Sequence, residues 1–394
     1  MPDGGDRPVS ALLVLAASEG GIARHVRDLA TGLRAAGAHV AIAAPARTID
    51  DLGLADIGVR LVPAPVGVPT VDAALTTRRI LGGEAGAIDV VHAHGLRAGA
   101  VVAAAGWFGP LVVTWHNAAL GGTLHRASHA ALRRYVARRS DLTLAASDDL
   151  ALAAAAAGAR RIGATFVPAP PLAPLTRTRA EIRAELGAGA HPLVLAIGRL
   201  HHQKRFDVLV EAATRWGSES RTPRVVIAGD GPARAQLAAL IEVRSAPVTL
   251  LGARTDVADL LLACDVVALP SEWEAQALVA QEALKAGVPL VATDVGGVAQ
   301  LVGDAALLVA PAHPTQLRRA LEKVLDDPEL RERMITTGRE RASTWPTSEQ
   351  VAAELMATYR ELLAAPGCAG ESTARIFRHR PPACRGVSGR RVLP

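Results

Sequence analysis

Two glutamates stand eight positions apart in the stretch "SEWEAQALVAQEALKAG", residues 271–287: Glu274 just after "LPS", and Glu282 inside an otherwise apolar helical pattern. Upstream, "GRLHHQKRF" places Arg199 and Lys204 on one loop, with Arg205 beside them. Two cations on the loop that follows a buried strand suit a diphosphate, because fixed positive charge neutralises negative charge without a metal. On one helix, positions eight apart would be separated by ~12 Å along the axis. That exceeds the ~5 to 9.5 Å over which two carboxyls share one glycosidic bond as acid and base. With Glu274 expected at the helix start and Glu282 two turns inside, the pair is read as gripping two separated parts of one long ligand. Two sugars joined by a diphosphate would fit, each carboxylate accepting hydrogen bonds from vicinal hydroxyls.

Other loops hold polar groups that a plain scaffold does not need. Gly20 and Gly21 open the first helix, exposing bare backbone N–H groups at the positive end of the helix dipole. In "VVHAHG", His92 and His94 end a strand, two positions apart. Each has a bland reading beside the chemical one: a convenient turn, and a hydrogen-bonded core histidine. Dinucleotide chemistry fits poorly. "ASEGGIARHV" is not GxGxxG, the second strand ends in "AAPART" with no acid for a ribose, and "IAGDGPARA" lacks the third glycine. The P-loop pattern is absent as well. Cys264, Cys368 and Cys384 show no CxxC spacing, which argues for a reducing compartment and no metal site.

The elements that must position these residues alternate along the chain. Buried-strand runs, "VSALLVLAA", "HVAIAAP", "DVVHAH", "PLVVTWH" and "LTLAAS", are separated by amphipathic helices, as in a parallel sheet covered on both faces. "PAPPLAP" interrupts the rhythm as a stiff linker. It restarts with "PLVLAIG", "RVVIAGDG", "VTLLG", "DVVALP", "PLVATDV" and "AALLVA". The expectation is an α/β protein of two Rossmann-like, doubly wound domains facing across a ligand cleft. The first covers 9–170, the linker 171–190, and the second 191–346. A helix over 347–364 would return to the first domain, and 365–394 would be a disordered basic tail.

The formal charge of +5 is the charge of that tail, where six arginines face the single acid Glu371. The rest is neutral on balance, and aromatic residues make up only 3%, so no nucleic-acid surface is indicated. No run approaches ~18 uninterrupted apolar residues and the N-terminus lacks a signal-peptide pattern, so a cytoplasmic location is expected. "LHRASHAALRRYVARRSD" is a basic helix with Arg126, Arg133, Arg134, Arg138 and Arg139. It leaves peripheral contact with the inner face of a membrane open, against packing of Ala131, Leu132, Tyr135 and Val136 on the core.

Taken together, "EGGIARHVRDLATGLRAAGAHV", "DVVHAHG", "AIGRLHHQKRFDVLVEA", "AGDGP" and "LLGARTDVADLLLACDVVALPSEWEAQALVAQEALKAGVPLVATDVGG" resemble the family 4 retaining glycosyltransferases of group 1, which have the GT-B fold. The resemblance covers about residues 10 to 364. It implies transfer of a hexosyl group from a nucleotide-diphosphate sugar to an acceptor hydroxyl, with retention, no cofactor and no metal. The acceptor would be lipid-linked, a saccharide or a small molecule. By this resemblance Arg199 and Lys204 stabilise the leaving diphosphate, Glu274 holds the transferred sugar, and Glu282 the ribose. His94 meets the sugar near its reacting carbon, while Gly20 and Gly21 approach the diphosphate. Gly229, Arg254, Ala275, Gln276 and Ala277 complete the donor-binding set. Family members commonly read E-G-F-G where this chain has Glu274-Ala275-Gln276-Ala277, which adds two methyl groups, and Gln300 replaces a usual acid. A nucleotide-sugar epimerase of the same fold and a non-catalytic nucleotide-sugar-binding protein are the alternatives.

Overall fold

The computed structural model describes residues 7–16, 21–51, 58–66, 70–84, 87–118, 123–214, 216, 222–365 and 376–377. The chain divides into two compact units. Among the described residues, one is built from those up to Pro168 together with those from Pro346 to Phe377, and the other from Ala169–Trp345.

The first unit is a parallel sheet of seven strands: β1 Ser10–Leu15, β2 His39–Ala44, β3 Arg60–Pro63, β4 Val90–His94, β5 Leu111–Trp115, β6 Leu142–Ala145 and β7 Ile162–Ala164. They lie in the order β7-β6-β5-β4-β1-β2-β3, and Ile376–Phe377 pair parallel at the edge beside β7. β1 and β5 are apolar nearly throughout, β4 is apolar apart from His92 and His94, and all three are buried almost along their length. Two strands carry no such run. β3 is four residues long and ends on a proline, while β7 is three residues centred on Gly163, where a Cβ would lie 2.9 Å from Leu144 Cδ2.

The second unit holds β8 Leu193–Ile197, β9 Arg224–Ala228, β10 Val248–Gly252, β11 Val266–Leu269, β12 Leu290–Thr293 and β13 Ala306–Val309, ordered β10-β9-β8-β11-β12-β13 and also parallel. Inside the 171–190 stretch expected as linker lies a helix, Arg179–Glu185, started by a Thr178/Glu181 capping box. It is held to this unit by buried Ile182 and by Arg179 and Arg183, which both bind Asp265.

Both sheets reverse their winding beside the first strand of the unit, between β1 and β4 and between β8 and β11. Loops at the carboxyl ends of strands flanking such a reversal diverge to opposite faces and leave a crevice, the usual ligand position in open α/β sheets.

The helix Ser348–Ala364 belongs to the first unit. Its Val351, Ala352, Leu355, Met356, Tyr359 and Leu362 share one core with Val26, Leu29, Ala30 and Leu33 of the helix Gly21–Ala35. Leu363, beside that stripe, is 39% exposed, since the buried stripe runs 351, 355, 359, 362 and turns away there. The two helices meet at Gly32, where a Cβ would come within 2.6 Å of Ala352 Cβ.

Candidate functional site

At the reversal in the second sheet, β8 runs out at Ile197 into Gly198, Arg199 and a 3-10 turn, His202–Lys204. Arg205 then takes a left-handed conformation (φ 47°) that swings the chain into the helix Phe206–Ala213, and its guanidinium is bound by Asp207. Beyond β11, the segment 271–277 folds back over this loop. Gln203 joins the two: its carbonyl accepts from Glu272 N–H at 2.7 Å and its side-chain amide donates to Trp273 O at 2.7 Å. Lys204 Nζ donates to Glu274 Oε1 at 2.6 Å, and Ser271 Oγ donates to the same oxygen at 2.7 Å. The loop after β12 closes the arrangement: Gly297 N–H donates to Glu274 O at 2.8 Å, and Thr293 Oγ1 donates to Ser271 O at 2.6 Å. Gly296 must be glycine here, since its φ is +52° and a Cβ would stand 2.1 Å from Glu274 O.

The structure therefore brings Lys204 and Glu274 into one charge-assisted pair, with Glu274 buried and Lys204 mostly so. Arg199 lies on the same loop with its side chain exposed. A lysine held by a buried carboxylate is fixed as a point charge, ready to meet an anion without reorganisation.

The two glutamates do not share a helix. The helix begins at Leu278, with Ala277 as N-cap, so Glu274 belongs to the preceding loop and Glu282 is the fifth helical residue. Residues 270–277 leave helical geometry because their backbone groups bond Gln203 and the β12 loop instead. The ~12 Å axial separation expected for one helix does not apply. Glu282 is half-buried, whereas the fully buried polar residue of this helix is Gln281, whose Oε1 accepts from Ala169 N–H at 2.8 Å. Lys285 donates to Ala169 O, and burial lowers its pKa against the opposing pull of Glu282. Ala275 and Ala277 are buried, and Gln276 is half-buried between them.

Two expected donor-binding residues have evident structural duties. Gly229 (φ +148°) sits where a Cβ would be 1.9 Å from Gly198 O, so its bareness lets the β9 turn pack on the β8 loop; Gly231 does the same against Leu200 O. Arg254 donates to both carboxylate oxygens of Asp256, at 2.7 and 2.6 Å, and to Glu185 at 2.8 Å. Hydrogen bonds to Asp256, then Glu185, push its pKa up. Asp256 also pairs with Arg177, which reaches Asp259, so Arg254 belongs to an ion network anchoring the 176–185 segment.

In the first unit, the reversal between β1 and β4 gathers Gly21 at the start of its helix, His25 one turn in, and His94 at the end of β4. Gly20 lies outside the described residues. His94 is buried in a group of four histidines. His92 stacks on it at 4.2 Å and 29°, His116 Nε2 lies 3.3 Å from its Nδ1, and His25 stands edge-on at 5.9 Å. His94 Nε2 is buried and, among the described residues, has no hydrogen-bond partner. Burial lowers all four pKa values, to about 4 for His25, to about 3 for His92 and well below 6.5 for His94 and His116, so the group is neutral near pH 7. Both nitrogens of His92 are taken, by Tyr359 Oη and Thr114 Oγ1, each at 2.7 Å. Among the described residues no set of three or more His, Cys, Asp or Glu side chains is arranged to hold a metal ion.

Sequence reading missed Gln203, Ser271, His25, His116 and Tyr359 at these places. For His116 a signal existed: "VVHAH" and "VVTWH" end adjacent parallel strands in matching fashion, and His94 pairs in register with Thr114. For Gln203 and Ser271 none existed, because both act across loops distant in sequence. On the basic helix Thr123–Arg139, Val136 and Ala137 enter the core while Arg134, Arg138 and Arg139 face outward. No helix of the described residues is long and apolar enough to cross a membrane.

Known proteins place this arrangement. Residues 178–341 match the family of glycosyl transferases group 1, and residues 20–170 match the glycosyl transferase 4-like domain. The chain belongs to the group 1 glycosyltransferases. Among its relatives within that group, it is 35% identical to the alpha-D-kanosaminyltransferase of Streptomyces kanamyceticus over 47% of this chain, spanning about half (49%) of that protein. It is 28% identical to the glycogen synthase of Mycobacterium tuberculosis strain H37Rv, over 85% of this chain and 90% of that one. The crystal structure of Anabaena HepE in complex with UDP and glucose superimposes with a TM-score of 0.76 at 20% identity, covering 90% of this chain and all of the other. That likeness concerns the fold: a group 1 glycosyltransferase with the two parallel-sheet domains of the GT-B class.

Proposed function

We propose that the chain is a retaining, metal-independent hexosyltransferase using a nucleotide-diphosphate sugar. The observation that carries this reading is the Lys204–Glu274–Ser271 cluster at the reversal of the second sheet, with Arg199 on the same loop. A diphosphate leaving a sugar gathers negative charge on one oxygen, and preorganised cations lower the energy of that step. In the proposed step the acceptor oxygen bonds to the anomeric carbon as the carbon–oxygen bond to the diphosphate breaks. The acceptor's proton passes to the departing phosphate oxygen. Lys204 and Arg199 face that charge, Glu274 fixes Lys204 and accepts from sugar hydroxyls, and Glu282 takes the ribose. His94 and Gly21 are proposed to serve the sugar and the diphosphate.

UDP-glucose is the first donor to test, because HepE was solved with UDP and with glucose. The assay follows release of nucleoside diphosphate from UDP-, GDP-, ADP- and TDP-hexoses, with water as default acceptor. Release from one donor, abolished by Lys204→Ala with the fold intact, is the expected result. Epimerised donor without free nucleoside diphosphate, or full turnover by Lys204→Ala, would overturn the proposal.

A further inference from the structure

Tyr359 comes from the helix Ser348–Ala364, 267 residues after His92, yet its hydroxyl lies 2.7 Å from His92 Nδ1. Its ring is fully buried in the core of the first unit. Thr114 Oγ1, on β5, holds the opposite nitrogen of the same imidazole at 2.7 Å. A neutral imidazole has one N–H and one lone pair, and two hydroxyls can serve either arrangement, so the ring of His92 is fixed in plane by both ends. That ring is the surface on which His94 stacks, at 4.2 Å between centroids. His116 takes Nδ1 of His94, and His25 closes its edge. Three sides of His94 are thereby specified, and among the described residues its Nε2 is left without a partner. Buried polar atoms seldom lack a partner, and one that does is a recurrent mark of a position kept for a ligand.

We propose that Tyr359 is a positioning residue: through His92 it sets the plane of His94, so that His94 Nε2 meets the substrate in one orientation. This rests on the reading of His94 as a sugar-contacting group. It also gives the returning helix a role in chemistry that its core packing does not require, since a phenylalanine would fill the same space. The logic is that of a reacting base oriented by a neighbour that never touches substrate.

The test compares full-length wild type with Tyr359→Phe, Thr114→Val and His94→Ala. Imidazole nitrogen NMR reads which nitrogen of His92 and His94 carries the proton, and donor turnover is measured in parallel. In wild type each ring should give one arrangement. Tyr359→Phe should leave the melting temperature near that of wild type and KM for donor within twofold. It should lower kcat by about ten- to a hundredfold, the scale of a slightly misplaced reacting group, and turn the His94 signals into an averaged pair. Thr114→Val, which removes the other anchor, should do the same and serves if Tyr359→Phe does not fold. Unchanged His94 signals and unchanged kcat in both anchors' variants would overturn the proposal. Unimpaired turnover by His94→Ala would instead remove His94 from the reaction, while the nitrogen signals of the two anchors' variants still decide whether Tyr359 orients the ring.

Discussion

Lys204 and Glu274 form a pair whose two members are unequal: the carboxylate is 10% exposed and has Ser271 as a further donor, while the ammonium is 21% exposed. Replacing Lys204 by Met removes the cation but keeps the stem. Turnover should fall by about 10²- to 10³-fold, as when one preorganised donor is lost, which steady-state release of nucleoside diphosphate would register. Arg254 should behave oppositely. Its guanidinium is engaged by Asp256 and Glu185, so Arg254→Ala should lower the melting temperature of the second unit and leave KM for donor within twofold. A large rise in KM at constant stability would restore it to the donor site. At this scale the sequence showed which residues carry charge but not their partners. The spacing of Glu274 and Glu282 suggested one helix, and only the hydrogen bonds of Gln203 and Gly297 explain why Glu274 sits outside it.

Among the elements, strands were legible wherever both faces are covered, because burial on both sides forbids polar alternation; β8 and β9 are examples. β3 and β7 were not, since short edge strands with Pro63 or Gly163 carry no pattern distinct from a loop. The helix Arg179–Glu185 was hidden by the prolines before it, although its Thr178/Glu181 capping box stands in the sequence. The turn after β9 lends itself to test. Gly229→Ala places a methyl group into Gly198 O at a φ of +148°, and should destabilise the second unit by on the order of 3 kcal/mol. Urea unfolding followed by far-ultraviolet circular dichroism would measure it; a midpoint equal to wild type would contradict the packing described.

Over the whole molecule, four neutral buried histidines tie stability to pH. Their folded pKa values lie below 6.5, so the unfolded chain takes up protons that the folded chain refuses. Stability is therefore complete above pH 6.5 and is lost as pH falls toward about 4 for His25 and about 3 for His92. Each contributes a slope of about 1.4 kcal/mol per pH unit inside its window. Melting between pH 7.5 and 5 should show the first unit giving way first, and a flat profile would contradict the burial of this group. The two-unit plan was readable from the repeated alternation of strand and helix. The histidine group was not, because it is assembled from β4, the residue after β5 and the helix Gly21–Ala35, which no local pattern connects.

The segment Pro346–Ala364 completes a core whose other buried members lie between Val9 and Leu144. As the polypeptide leaves the ribosome, residues 169–345 form an uninterrupted stretch able to collapse at once, whereas the segments before Pro168 must wait for Pro346–Ala364. An excised 169–345 fragment should fold cooperatively, and 1–168 alone should remain loosely packed until a peptide spanning 346–365 is added. The first unit thus stays unfinished until the whole of the second has been made, a natural handhold for chaperones.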